Sequence, residues 1–153
     1  MHFTGQEIVN VPMQAVWDFF MDPHRVAACA PGYQSMEILA PDHFKPKVGV
    51  GIGAVKASFT LDVMLADLRP PDHAAVKGHG VAAGSAVDFN GVMDLVVESE
   101  NVTKMDWVAD VAVSGIIASV GGRLLESTAR KMTAKFFGNM RENLNKPSAA
   151  SKT

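Results

Sequence analysis

The chain has 153 residues, of which 48% are apolar and 20% are charged, a composition typical of one folded globular domain. Its single cysteine, Cys29, excludes an intramolecular disulfide framework and favours a reducing compartment. No apolar run reaches the roughly 18 residues of a membrane-spanning helix, and residues 1–5 lack the pattern of a signal peptide. We therefore expect a single cytoplasmic domain over residues 1–144, followed by a disordered tail or truncated linker over residues 145–153.

The charges divide the chain into an acidic body and a basic end. The formal net charge is −2, but residues 1–122 hold 14 acidic and 7 basic side chains, whereas residues 123–153 hold 2 acidic and 7 basic ones. This asymmetry is typical of a protein that docks on an anionic membrane or partner, although a solvated helix face gives the same pattern. The overall acidity and the single tyrosine argue against nucleic-acid binding.

The N-terminal end is predicted to form one strand and two short helices. The strand is expected near residues 3–11. The first helix starts at Pro12, a residue that suits a first helical turn, and its apolar residues follow at helical spacing. Asp22 is the predicted N-cap of the second helix, which is opened by Pro23 and ends before Pro31.

Alternation of apolar and polar residues predicts six further strands. The period of two is clearest over residues 55–65, 87–97 and 103–113, where the odd-numbered residues are mostly apolar. Shorter strands are expected near residues 33–40, 43–52 and 73–82. Together with the first strand, they predict a seven-stranded antiparallel sheet built by hairpin succession.

A long amphipathic helix is predicted from about Ile116 to Leu144, with a weak point at the glycine pair of residues 121–122. The element order is therefore β-α-α-β6-α, an α+β helix-grip fold in which a curved sheet surrounds one long C-terminal helix. We expect a cavity between them, because small residues such as Gly91 and Ala109 alternate with bulky inward ones. The same small residues would equally relieve crowding in a filled core.

The residues favour a binding fold over an enzyme, and we predict no catalytic and no metal-ligating residues. The five histidines are scattered without metal-ligand spacing. The glycines of residues 48–53 recur at every second position and precede a strand, unlike those of a nucleotide-binding loop. Cys29 has no base beside it and is interpreted as a small buried side chain. Asp62, Asp94 and Asp110 fall on the outward phase of their strands, which argues against acid–base catalysis.

Four stretches of the chain, taken in order, resemble a known family. They are Asp22-Pro23 with Cys29-Ala30-Pro31-Gly32, Val48-Gly49-Val50-Gly51-Ile52-Gly53-Ala54-Val55-Lys56, Leu68-Arg69-Pro70-Pro71, and Ala129-Arg130-Lys131 with Phe136-Phe137. Over about residues 2–143 the chain is similar to the CoxG family of carbon monoxide dehydrogenase subunits, within the START/Bet v1-like (SRPBCC) superfamily. The resemblance implies a non-catalytic accessory protein of a molybdenum hydroxylase such as carbon monoxide dehydrogenase. It also implies a role at the inner face of the cytoplasmic membrane.

An apolar cavity beside a redox partner suggests a lipophilic ligand, and a quinone is our hypothesis because electrons from a soluble dehydrogenase must reach lipid quinones. No other cofactor is predicted. The expected lining residues are Phe59, Leu61, Phe89, Met93, Trp107, Val120, Leu124, Thr128 and Met132. Thr128 is the one polar residue of the helix stripe and would bond a ligand carbonyl. The expected contacts to a membrane or an acidic partner are Arg123, Arg130, Lys131 and Lys135.

Two other functions stay open on the sequence. One is a docking or membrane-recruitment module without a ligand, which a cavity too small for a prenylated ring would favour. The other is a cyclase or hydrolase, because the superfamily includes enzymes, and an inward-facing acid–base pair would favour it.

Overall fold

The computed structural model describes residues 1–145, which form one curved sheet and a long helix packed on its inner face. The strands are β1 His2–Val9, β2 Tyr33–Ala40, β3 His43–Ile52, β4 Val55–Arg69, β5 His73–Ala82, β6 Ser85–Ser99 and β7 Val102–Gly115. The helices are α1 Met13–Phe20, α2 Pro23–Cys29, a 3-10 helix at Ile116–Val120, and α3 Gly122–Leu144. The tail expected over residues 145–153 lies, apart from Asn145, outside the described residues.

All seven strands belong to one antiparallel sheet in the order β1-β7-β6-β5-β4-β3-β2. Strands β2 to β7 follow one another as hairpins, whereas β1 pairs with β7 at the opposite edge from β2. The two short helices therefore carry the chain from one edge strand to the other. The predicted element order and helix-grip architecture are confirmed.

Side chains alternate between the core and the outer face of the sheet, as the period of two predicts. Phe59 in β4, Met93 in β6 and Met105 in β7 are odd-numbered and buried. The side chains of Asp62 and Asp94, which are even-numbered, are about half-exposed on the outer face. The hydrophobic pattern therefore fixes which face of each strand meets α3.

The long helix begins later than the sequence predicts. The segment Ile116–Val120 is a 3-10 helix, and Gly121 follows it with a φ of +97°. An α-helix requires a negative φ, whereas glycine adopts positive values readily, so the chain turns at Gly121 and α3 starts at Gly122. The expectation of one continuous helix from Ile116 is therefore wrong at its first turn.

Hydrogen bonds to α2 and β1 hold the C-terminal half of α3. Arg25 of α2 donates two bonds to Asn143 Oδ1, at 3.0 and 2.7 Å. Asn139 donates to the last carbonyl of α2 at 3.0 Å. Arg141 donates to Glu7 Oε1 in β1 at 2.7 Å. This half of α3 is thus fixed against elements at both edges of the inner face.

The core consists of two separate clusters of buried apolar side chains. The larger cluster contains residues of β1, α1, α2, β5, β6, β7 and the C-terminal half of α3, including the fully buried Phe19 and Met140. The smaller cluster, at the other end of α3, consists of Ile52, Phe59, Ile117 and Leu125. Helix α3 therefore spans from one cluster to the other.

A buried hydroxyl provides a test of the packing around the larger cluster. Thr103 is fully buried in β7, and its Oγ1 donates to the carbonyl of Val11 at 2.8 Å. Thr103→Val preserves the shape but leaves that carbonyl unpaired, so we expect a loss of about 1–3 kcal/mol in unfolding free energy. Urea unfolding measures this loss, with Thr60→Val on the exposed face of β4 as the control, for which a change within about 0.5 kcal/mol is expected. Equal losses in the two variants would contradict the role of the buried bond.

Candidate ligand-binding site

A cavity of about 400 Å³ lies between the sheet, the two short helices and the C-terminal half of α3. Among its lining residues, Ala74 and Met93 belong to the larger core cluster, whereas Leu61 packs against the smaller one. The cavity therefore lies between the two clusters, and it is partly open to solvent. Its volume falls within the range of about 300–1,000 Å³ that is typical of small-molecule sites.

The lining of this cavity is almost entirely apolar. Within residues 1–145, only Tyr33 and Trp107 contribute lining side chains with a nitrogen or oxygen atom. The Trp107 indole N–H is already used, since it donates to Glu7 Oε2 at 3.1 Å. No carboxylate, imidazole, amine, guanidinium or thiol lines the cavity within residues 1–145. The described walls can thus hold hydrocarbon, and the Tyr33 hydroxyl is the one group among them that general acid–base chemistry could use.

Several bulky lining residues face inward and yet remain only partly buried. Leu61, Phe89 and Trp107 all lie on the inward phase of their strands, but none reaches the burial of the core clusters. A side chain packed inside a filled core would be covered on every side. The partial exposure of these three residues therefore reflects the open space above them.

Glycines across the sheet make this space available. Gly5 in β1 lies opposite Trp107 in β7, and a Cβ built on Gly5 would be 2.6 Å from Trp107 Cζ2. Gly78 in β5 lies opposite Phe89 in β6 and is covered by its ring in the same way. The sequence predicts this space from small neighbours along the same strand. The structure adds glycines on adjacent strands, over which the aromatic rings lie flat.

The structure brings four of the nine expected lining residues together at the cavity. They are Leu61, Phe89, Met93 and Trp107. All four are inward-facing residues of the central and β1-proximal strands, where the period of two was clearest. The sheet side of the site therefore follows directly from the strand pattern.

Three other expected lining residues lie near the smaller core cluster. Phe59 is buried within that cluster, and Val120 packs against it from the 3-10 helix. Leu124 is 40% exposed, next to Gly53 in the β3–β4 turn. Val120 and Leu124 flank the turn at Gly121, where the chain passes from the 3-10 helix into α3 beside this cluster.

Thr128 and Met132 are half-buried in α3 but do not line the cavity. The helix reaches the cavity only with Phe136 and Phe137, in the half that the bonds to α2 and β1 hold in place. Tyr33, and not Thr128, is therefore the lining residue with a hydroxyl.

Several lining residues that the sequence did not single out come from the other wall of the cavity, whereas others, such as Val63 and Met105, lie on strands whose inward phase was predicted. Phe20 and Val26 belong to α1 and α2, and Phe44 and Val48 belong to β3. The β3 residues had a usable signal, because Phe44, Pro46 and Val48 alternate with lysines. No sequence pattern indicates the helix residues Phe20 and Val26, because the spacing of apolar residues in a short amphipathic helix does not show which cavity the helix will cover.

The four expected docking cations occupy two neighbouring sides of α3. An α-helix turns by about 100° per residue, so Lys131 and Lys135 share one side of α3, while Arg123 and Arg130 share a neighbouring side. Arg130 is paired with Glu126 at 3.1 Å and lies 5.2 Å from the ring centroid of Phe3. Lys131 and Lys135 are exposed and form no ion pair within the described residues.

The outer face of the sheet, away from the cavity, carries histidine–aspartate pairs. His2 pairs with Asp110 at 2.7 Å and His79 pairs with Asp88 at 2.6 Å. His73 contacts Asp94 Oδ1 at 2.7 Å and Asp67 Oδ2 at 3.1 Å.

The hydrogen bond to Asp94 is the main reason why the pKa of His73 is raised above its ordinary value. Within residues 1–145, no group of three or more histidine, cysteine, aspartate or glutamate side chains is arranged to hold a metal ion.

The antiparallel seven-stranded sheet that grips one long helix gives this chain the START/Bet v1-like fold. A conserved protein from Geobacillus kaustophilus shares this fold with a TM-score of 0.89 and 26% identity, over 95% of this chain and 96% of that one. The Zhui aromatase/cyclase from Streptomyces sp. R1128 shares the fold with a TM-score of 0.71 and 15% sequence identity, over 94% of this chain and 93% of that one. A START superfamily protein from Mycobacterium smegmatis shares the fold with a TM-score of 0.69 and 13% sequence identity, over 94% of this chain and 96% of that one.

The family within this class follows from the amino-acid sequence. The family model for CoxG, a carbon monoxide dehydrogenase subunit, matches residues 5–145, and the chain belongs to that family. The resemblance identified from the four sequence stretches is thereby confirmed. A search among curated proteins gives no match. Across the described residues, no helix combines the length and the hydropathy that a membrane span requires.

The raised pKa of His73 predicts a pH-dependent contribution to stability. Such a group stabilises the fold at pH values below the ordinary histidine pKa, and the contribution is lost as pH rises through the raised value. Asp94→Asn removes the main cause, so it should cost more stability at about pH 5.5 than at about pH 8.5. Urea unfolding at both pH values measures the difference, and an NMR titration of His73 measures its pKa directly.

Asp110→Asn, at the distant His2 pair, is the control and should leave the pKa of His73 unchanged. A stability cost of Asp94→Asn that is the same at both pH values would contradict the prediction.

Proposed function

We propose that this CoxG-family protein binds a lipophilic ligand, a quinone, in its apolar cavity and couples a molybdenum hydroxylase such as carbon monoxide dehydrogenase to the cytoplasmic membrane. The observation that carries the proposal is a partly open cavity of about 400 Å³ with walls of hydrocarbon. Family membership supports the accessory role beside the dehydrogenase. In this role the protein is cytoplasmic and non-catalytic, and it acts at the inner face of the membrane.

The lining matches the two chemical parts of a quinone. Burial of a prenyl chain contributes about 25 cal/mol of binding free energy for each Å² of apolar surface that leaves water. Aromatic and aliphatic walls provide such an apolar environment. The quinone ring needs a donor for its carbonyl oxygens. Tyr33 supplies the one hydroxyl among the described lining residues, whereas the Trp107 N–H is already bound to Glu7. We therefore assign to Tyr33 the carbonyl contact that the sequence suggested for Thr128.

The exposed side of α3 supports contact with an anionic surface. The helix carries five basic and two acidic side chains, whereas the rest of the described chain is acidic. Lys131 and Lys135 are exposed and unpaired within that part of the chain, so they are available to lipid phosphates. Each basic residue near an anionic membrane contributes roughly 1 kcal/mol.

The two alternatives are less well supported. A hydrolase, or a cyclase such as the Zhui aromatase/cyclase that shares the fold, needs groups that move protons, and the described cavity lining has no carboxylate or imidazole. A docking module without a ligand would have no use for inward aromatic side chains that stay partly exposed.

Quinone binding is tested with a short-chain quinone and the purified protein. We expect saturable quenching of the fluorescence of Trp107, which lines the cavity. Tyr33→Phe removes only the hydroxyl and should weaken quinone binding roughly 2–10-fold, the worth of one hydrogen bond. The same variant should bind a straight-chain alkane of similar size as wild type does. A wild-type protein that neither binds added quinone nor releases a lipid on organic extraction would overturn the proposal.

Membrane contact is tested by co-sedimentation with vesicles that contain anionic lipid. Charge reversal of Lys131 and Lys135 to glutamate should weaken vesicle binding at least tenfold, and binding of the wild type should fall steeply with added salt. Lys47→Glu with Lys77→Glu changes the net charge equally on the outer sheet face and serves as the control. Wild-type binding that is unchanged at 1 M salt, where the screening length is about 3 Å, would exclude an electrostatic contact.

A further inference from the structure

Two cavity-lining side chains lie across the central strand β5 in an unusual way. Leu61 of β4 is the register partner of Gly80, and Phe89 of β6 is the register partner of Gly78. Both glycines are buried and face the inner side of the sheet. The two bulky residues thus approach β5 from its two neighbouring strands, at positions where β5 has no side chain of its own.

The space over each glycine is filled by its partner. A Cβ built on Gly78 would overlap the ring of Phe89, with Cε2 only 2.7 Å away. A Cβ built on Gly80 would overlap Leu61 Cδ2 and lie 2.9 Å from Val87 Cγ1. Phe89 and Leu61 therefore lie flat over β5, where an upright ring or branched chain would project into the cavity.

These two side chains mark the end of the cavity that meets the smaller core cluster. Leu61 lines the cavity and also packs against that cluster, which contains Phe59. Val87, two residues before Phe89 on the same strand, packs against the cluster but does not line the cavity. Beyond Leu61 and Phe89 the interior is filled, so these residues form the closed end.

We infer that Leu61 and Phe89, lying on Gly80 and Gly78, set the depth of the cavity and thereby the length of the apolar chain that it accepts. The inference rests on the proposed binding of a lipophilic ligand. An apolar chain gains roughly fourfold in affinity for each methylene that it buries, until it meets the closed end. Further methylenes must stay in water, and affinity then stops rising with chain length.

The two residues and their glycines allow the depth to be changed in both directions. Phe89→Ala removes the ring and should move the limit to longer chains, with several-fold tighter binding of chains beyond the wild-type limit. Gly78→Ala adds a methyl where the ring now lies, so the ring must lift into the cavity and the limit should move to shorter chains. Gly51→Ala is the matched control, because a Cβ on Gly51 meets nothing within 4 Å.

The experiment measures the affinity of each purified variant for a homologous series of straight-chain alcohols by calorimetry. Phe89→Leu serves as a milder second variant, for which an intermediate shift to longer chains is expected, and circular dichroism verifies that each variant is folded. If the chain length at which affinity stops rising is the same in Phe89→Ala, Phe89→Leu and Gly78→Ala as in the wild type, the inference about cavity depth is overturned, while the proposed function is not. A wild type that binds neither the alcohols nor quinones would overturn the proposed function itself, so the two failures are distinguishable.

Discussion

One helix must cover the inner face of a sheet that is much wider than the helix. Seven strands at about 4.8 Å spacing span roughly 30 Å, whereas a helix with its side chains is about 10–12 Å across. Helix α3 meets the sheet near the smaller cluster through Leu125 and near the larger cluster through Phe137 and Met140. The short helices cover part of the remainder. The cavity lies over the part of the inner face that these elements leave uncovered. Its position and its apolar walls follow from the difference in width between the sheet and the helix.

Leaving that surface uncovered has a cost in stability. Each Å² of apolar surface that stays in contact with water lacks about 25 cal/mol of stabilisation by burial. Leu61, Phe89 and Trp107 all remain partly exposed. Larger residues at Gly5 or Gly78 would push the rings of Trp107 and Phe89 into the open space, yet glycine stands at both positions. A molecule that occupies the cavity recovers the lost burial and stabilises the folded state by mass action. Under the proposed function, binding of an apolar ligand would offset this cost in stability.

Much of the sheet could be predicted from the sequence, and much of the opposite wall could not. Strand identity and the inward phase follow from a local period of two, which is why Leu61, Phe89, Met93 and Trp107 were placed at the cavity. The position of α3 depends on the turn at Gly121 and on bonds formed by residues far apart in the chain, such as Arg25 with Asn143. Long-range geometry of this kind has no periodic signature.

Helix α3 connects the cavity to the exposed basic side. Phe136 and Phe137 line the cavity, while Lys135, the residue before them, is exposed. Under the proposed function, a membrane that attracts the lysines would bring lipid close to the same helix that forms one wall of the site. The segment of α3 between Leu125 and Phe136 has no residue in either buried cluster. Packing at its two ends, the hydrogen bonds of its C-terminal half and the contact of Arg130 with the Phe3 ring therefore hold its position. Ligand entry and surface contact would then act on one element, which gives a physical reason for placing both in a single small domain.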